Sequence, residues 1–229
     1  MANEKETEKK SFSDILGTFL TKYGKIFLGI IIVLILVAAA FGIIGALSKA
    51  NAQKGYTALD EITYSFKTAR DTLEGEELTV KENESLEKAL ALAEKNKSNG
   101  VGARAYMFAA DLDFQKNNWD AAKKSYIAAA EANKKAYTAA LSYYNAAICC
   151  EELDDLEGAA KFFKTVTSYK DFPLVNRAKF SLGRVNESLE KYADALSAYE
   201  SLVDKDADDS YAKLAKSRIL ALKAEGKSE

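Results

Sequence analysis

The sequence contains no histidine. That absence excludes Ser-His and Cys-His catalysis, His-ligated metals and the usual general base near neutral pH. Proline is almost missing too: Pro173 is the only one in 229 residues. With abundant Ala, Leu, Glu and Lys, so little proline predicts helix nearly throughout and an all-α architecture. Cysteine is confined to the adjacent pair Cys149 and Cys150. Adjacent residues on a helix point about 100° apart, which places these two poorly for bonding each other, and they read as small core residues. Charge of one sign is not in excess, with a formal net charge of −2 and a pI near 5.6. A nucleic-acid surface would need a clustered basic face, so no nucleic-acid partner is expected. There is no phosphate-cradling Gly-rich loop, nucleotide fingerprint or P-loop. The acidic run Glu151, Glu152, Asp154 and Asp155 lacks a metal-binding spacing and reads as a solvated helix end and turn. No catalytic residue, metal or cofactor is therefore expected, and an enzyme is the least favoured class.

What the sequence does have is a long apolar run. Ile26 to Leu47 is 22 residues without a charge, a proline or an amide side chain, and fifteen of them are Ile, Leu, Val or Phe. As a helix this run spans roughly 33 Å, enough to cross a hydrocarbon core about 30 Å thick. It carries no polar stripe of the kind a soluble core helix shows where it meets water. The competing reading is a cleaved signal, since Ala50-Asn51-Ala52 fits a small-x-small cleavage pattern. Against it, the run exceeds the roughly 7 to 15 residues of a secretory apolar region, and a partly acidic segment, residues 1–25, precedes it. The expectation is an uncleaved transmembrane helix over 26–47 in contact with the lipid bilayer.

Lys5, Lys9, Lys10, Lys22 and Lys25 precede the span, against Lys49, Lys54 and Lys67 in the equivalent stretch after it. The positive-inside rule then puts the N-terminus in the cytoplasm and the remainder on the far side of the membrane. In the lead, Phe12, Ile15, Leu16, Phe19, Leu20 and Tyr23 share one face of a 3.6-period helix. Two readings stand: a short interfacial helix capped by Ser11 and Asp14, or an N-terminal extension of the membrane helix. Within the span, Ala38, Gly42 and Ala46 form a small-residue stripe that could seat another helix.

After the span the chain repeats itself. "NNWDAAKKSYIAA" from Asn117, "DDLEGAAKFFKTV" from Asp154 and "EKYADALSAYESL" from Glu190 align without gaps. Each places Trp119, Leu156 or Tyr192 first, then Ala122, Ala159 or Ala195, then Tyr126, Phe163 or Tyr199, then Ala129, Val166 or Leu202. Just before each copy comes a helix with paired small or aliphatic residues: Ala109-Ala110, Ala146-Ala147 and Leu182-Gly183. Small residues where helices cross let backbones approach, and the aromatic of the second helix fills the gap to the next pair. A pair cannot bury its apolar face alone, so pairs stack into a solenoid.

These positions resemble the tetratricopeptide repeat, with its helix pairs on a 34-residue period. The resemblance covers 103–205 as three repeats, with a spacing slightly longer than the family's. It implies an α-solenoid after the transmembrane helix, and amphipathic periodicity adds a degenerate helical pair over 54–100 and, from Tyr211, Leu214, Ala215, Ile219 and Leu222 on one face, a capping helix over 209–225. Eight helices are expected after the span, with longer turns between pairs. Both thiols should be buried, because an exported domain meets oxidising conditions.

A docking surface is expected on the face lined by the first helix of each pair. Equivalent positions give Met107, Tyr144 and Phe180, then Asp111, Ile148 and Arg184, with Arg104 and Arg177 along the edge. Repeat domains of this family that grip carboxylate tails use Lys and Asn at those positions, and this chain does not. An apolar row edged by arginines suits an extended or helical segment of another protein. The architecture is also similar to the bacterial ancillary subunit of the SecYEG translocon. That likeness implies an inner-membrane, single-pass scaffold with a periplasmic repeat domain, and as partners the translocon, a chaperone or an exported polypeptide. The alternatives are an adaptor in envelope assembly or cell division, or a cytoplasm-facing docking platform, which the unpaired cysteines favour and the lysine count opposes.

Overall fold

The computed structural model describes residues 11–203 and 209–227, apart from the side chains of Asp14 and Ile15. Lys5, Lys9 and Lys10 of the orientation argument, the Asp14 cap and the Ile15 side chain lie outside the described residues. Among the described residues all regular structure is helical, with nine helices and no strand. The chain divides into two units, one ending at Asn51 and the other beginning at Ala52. Helix α1, Phe12–Thr72, contributes to both.

In the first unit α1 runs without a break from Phe12 into the apolar stretch, the extended-helix form of the two readings of the lead. Every side chain from 26 to 47 is exposed, and the stretch is long and apolar enough to cross a membrane. The Phe19 ring lies tilted 5.2 Å from Tyr23 and 5.3 Å from Phe27, and the Lys22 ammonium lies 5.2 Å from the Tyr23 ring centre. The pair expected over 54–100 has no separate first helix, because the end of α1 supplies it. The residues Ser48 to Gly55 contain no proline, and the single glycine, Gly55, costs a helix only about 1 kcal/mol, too little to break it.

The second unit opens with the end of α1 and continues through α2 (Gly75–Lys95), α3 (Gly100–Gln115), α4 (Trp119–Ala132) and α5 (Tyr137–Glu152). It closes with α6 (Leu156–Val166), α7 (Val175–Ser188), α8 (Tyr192–Val203) and α9 (Ser210–Ala224). Each helix from α2 to α9 packs on the next in chain order, and α3 also meets α5, as α7 meets α9. This neighbour-on-neighbour order is the stacking of helical pairs that the repeat pattern demands.

Local chemistry fixes the ends. Asn99, Asp155 and Asp209 each accept a hydrogen bond from a first-turn backbone N–H of the helix that follows, capping α3, α6 and α9. The first helix of each repeat stops identically. Asn117, Asp154 and Glu190 adopt the left-handed conformation with φ of 59°, 57° and 59°. The next residue's N–H then reaches back to the carbonyls of Asp113, Cys150 and Asn186 at 2.9, 2.8 and 2.8 Å, the six-to-one bond of a Schellman turn. Gly226 and the Lys227-to-Leu222 bond close α9 in the same way. The longer turns expected between pairs are not general: α4 and α5 are joined by residues 133–136 alone, whereas residues 167–174 join α6 to α7, and Phe172 from this longer loop is tucked into the core.

The repeat positions build that core. Ala122, Ala159 and Ala195 are completely buried, and so are Ala110 and Ala147. The facing aromatics Tyr126, Phe163 and Tyr199 are no more than 2% exposed, each contributing about 1.5–3 kcal/mol by burial. At Gly183 the ring passes directly over the backbone: a Cβ there would sit 2.4 Å from Cε1 of Tyr199. The preceding pair joins the same stack, with Leu59 packed among Ala93, Ala105 and Tyr106, and Phe66 edge-on to Phe108 at 5.5 Å.

Candidate protein-docking face

The first helices α3, α5 and α7 carry the sequence-predicted docking residues, and the repeat register brings them onto equivalent turns. Their environments differ. Met107, Asp111, Ile148 and Phe180 are half-buried, whereas Arg104, Arg177 and Arg184 are exposed. Tyr144 departs from the expectation of an open row: it is only 4% exposed, with its ring 5.5 Å from Phe163 and 6.3 Å from Phe172. The reason is the long loop 167–174, which delivers Phe172 over the site that Tyr144 would otherwise present to solvent. Phe180 is likewise engaged, 5.4 Å from Tyr199 and 5.9 Å from Tyr211 of α9.

The polar members of the row fall into two kinds. Asp111 accepts a hydrogen bond from the Tyr126 hydroxyl at 2.6 Å. Burial raises its carboxyl above the usual range, and the tyrosine bond offsets only part of that rise. Arg184 is ion-paired with Glu151 of α5, and one step further Arg218 of α9 is ion-paired with Glu187 of α7. These two pairs form a ladder that ties successive first helices together. Arg104 and Arg177 have no carboxylate partner among the described residues. Arg104 lies 5.2 Å from the Tyr56 ring centre and Arg177 lies 5.7 Å from that of Tyr144, both as cation–π contacts.

A second recurring device joins consecutive helices. The Tyr106 hydroxyl donates to Glu94 at 2.5 Å, and 37 residues later the Tyr143 hydroxyl donates to Glu131 at 2.6 Å. Burial and the neighbouring carboxylate push Tyr106 up to about 12 and Tyr143 higher still. Tyr199 donates to Glu187 at 2.5 Å, so that Glu187 serves both α8 and α9. Burial raises the Glu187 carboxyl, and the Arg218 and Tyr199 bonds outweigh it, leaving the group below its ordinary range. Sequence reasoning missed these clasps, although the common 37-residue offset of Glu94 and Tyr106 to Glu131 and Tyr143 was a signal in plain view.

Cys149 and Cys150 are free and completely buried. Burial pushes their thiols up to about 12 and about 11, which keeps them protonated and poor nucleophiles. Among the described residues, no group of three Cys, Asp or Glu is placed to hold a metal ion.

Comparison with known proteins agrees with this architecture. The tetratricopeptide repeat family model matches residues 108–168 and 166–212. A TPR repeat-containing protein of Treponema pallidum (strain Nichols) is 36% identical over 126 residues, covering 53% of this chain and 53% of that protein. The chain thus spans about half the length of this curated relative. A tetratricopeptide repeat protein from Parabacteroides merdae ATCC 43184, solved as a crystal structure, superposes with a TM-score of 0.55 at 16% identity. That match covers 75% of this chain and 63% of the solved one and bears on the fold alone. Residues 108–212 thus match the tetratricopeptide repeat family in sequence, and the helix stacking over the same stretch agrees with that match.

Proposed function

We propose that the chain is a membrane-tethered scaffold that binds other proteins through its repeats. Residues 26–47 are the lipid-embedded anchor, 1–25 a cytoplasmic lead, 54–100 the opening helical pair, 103–205 the docking repeats and 209–225 the cap. The observation that carries the reading is the coexistence of a fully exposed 22-residue apolar stretch in α1 with a stack of tetratricopeptide repeats in one chain. Lipid is the medium in which such a stretch costs nothing to expose. The lysine balance favours a single pass with the N-terminus in the cytoplasm and the repeats outside an inner membrane. The build is similar to that of the ancillary translocon subunit, so newly exported polypeptides, the translocon itself or a chaperone are the proposed partners. Arg104, Met107, Asp111, Ile148, Arg177, Phe180 and Arg184 remain the proposed docking row, with Tyr144 supporting Arg177 from below.

A second reading rests on a specific observation. Two adjacent free thiols suit a reducing compartment, which would place the repeats on the cytoplasmic face. Protease protection on spheroplasts separates the two: digestion of the repeats by external protease is expected, and full protection would move them to the cytoplasm. Release of an intact domain starting near Gln53 would instead mean that the anchor is cleaved.

A further inference from the structure

The N-terminal ends of α3 and α5 border two cavities that no repeat position accounts for. The smaller, about 120 Å³, lies between Tyr56, Arg104, Asn133 and Tyr137. The larger, about 420 Å³, lies between Lys135, Tyr137, Tyr169, Lys170 and Phe172. Both are also lined by Ala136, so the two form one cleft with Tyr137 standing in the middle. Tyr137 is 75% exposed, a large aromatic surface turned outward while the other repeat aromatics are packed away. The wall is fixed: the Tyr169 hydroxyl donates to the Lys134 carbonyl at 3.1 Å, and Phe172 is held against Tyr144.

The charge of this cleft differs from that of the molecule. Its cations are Arg104, Lys135 and Lys170, and Asp171 is the sole acid in the lining. None of the three cations has a carboxylate within ion-pair distance among the described residues, whereas Arg184 and Arg218 on the same set of first helices are each neutralised. In a chain whose net charge is −2, three uncompensated cations beside an exposed tyrosine form a local electropositive, aromatic strip.

We infer that this cleft receives an extended, acidic segment of a partner polypeptide, with carboxylates against Arg104 and Lys170 and an apolar side chain laid on Tyr137. The inference rests on the protein-binding reading above and narrows it to a place and a chemistry. An extended chain points successive side chains to opposite sides, so alternating acidic and apolar residues would meet the charged rim and the aromatic floor in turn. The exposed ring and a planar guanidinium are side chains that carry binding energy at interfaces. The rim charges should set the salt dependence.

The test uses the full-length chain in detergent micelles and two short fluorescent peptides, one alternating Glu with Leu and one alternating Lys with Leu. Fluorescence anisotropy should show the acidic peptide binding about tenfold or more tightly over the basic one, with affinity falling as salt is raised. Tyr137→Ala and Arg104→Glu should each weaken the acidic peptide about tenfold with unchanged helical circular dichroism. Equal affinity for both peptides, no binding of the acidic one, or indifference to both substitutions would overturn the inference. A photocrosslinking residue placed at Tyr137 should label the acidic peptide. If one placed at Met107 does so and Tyr137 does not, the cleft is wrong while the repeats remain a peptide-binding surface. If Tyr137 instead joins two copies of the chain, the occupant is a second protomer and the inference fails.

Discussion

Replacing Gly183 with Ala isolates one close ring-on-backbone approach in the repeat core. Equivalent positions in the two preceding repeats are Ala110 and Ala147, so an alanine is not foreign to this place in the fold. What differs is the facing ring. Tyr126 beside Ala110 sends its hydroxyl to Asp111, and Phe163 beside Ala147 has no hydroxyl to satisfy. Tyr199 sends its hydroxyl to Glu187, and the ring then passes so close that a new Cβ would lie 2.4 Å from Cε1 and 2.7 Å from Cδ1. A ring displaced to the pose of Tyr126 would find Arg184 where the first repeat offers Asp111, and its hydroxyl would lose an ionised acceptor. Overpacking costs about 1–3 kcal/mol. Loss of a hydrogen bond to a charged group costs about 1.5–3 kcal/mol. The helix-propensity gain of alanine over glycine returns about 1 kcal/mol. A net loss of about 2 kcal/mol lowers the Tm by about 4–8 °C for a unit of this size. Thermal circular dichroism of the full chain in detergent reads this directly. The pairing Gly183→Ala with Tyr199→Phe reproduces the Ala147–Phe163 arrangement and should recover part of the loss, a coupling that a double-mutant cycle measures. A Tm unchanged or raised in the single variant would refute the close approach.

Glu190 holds the left-handed turn position that Asn117 and Asp154 occupy in the other repeats, at a cost of roughly 1 kcal/mol for an ordinary side chain. Glu190→Asn should therefore stabilise the fold by about 0.5–1 kcal/mol, read as a raised midpoint in urea titration, and Glu190→Gly should also raise the midpoint. Glu187→Ala, which orphans the Tyr199 hydroxyl and Arg218 together, should cost about 2–3 kcal/mol. Glu151→Ala, which loses only the exposed Arg184, should cost about 1 kcal/mol or less. Cys149, Cys150 and Tyr106 ionise less readily folded than unfolded. Stability from these groups is complete below about pH 8.5 and is lost as the pH climbs toward 12, so the Tm should fall over that window, and Cys149→Ala should flatten the fall. Iodoacetamide should modify neither thiol in the native chain and both after unfolding.

Much of this protein was written in its chain order. A run without charge or proline from Ile26 to Leu47 can be only an apolar helix, because nothing in it satisfies water. The copies beginning at Asn117, Asp154 and Glu190 fix helix pairs and their stacking, because Ala122, Ala159 and Ala195 make sense only where helices touch. The same periodicity reached the first-helix face but not its use. Tyr144 reads from sequence as one of a row of three, and it is the loop carrying Phe172 that buries it. Arg104, Arg177 and Arg184 look alike in one dimension. Only tertiary packing hands Arg184 a carboxylate from the neighbouring repeat and leaves the other two on tyrosine faces. Tyr137 at the start of α5 and Tyr169 in the loop between α6 and α7 line one cavity, a juxtaposition that no spacing encodes. Local propensity and periodicity act over a few helical turns and so determine helices, caps and stacking order. Which charge is neutralised and which aromatic stays exposed depends on residues of different helices far apart in the chain, and the folded stack alone decides it.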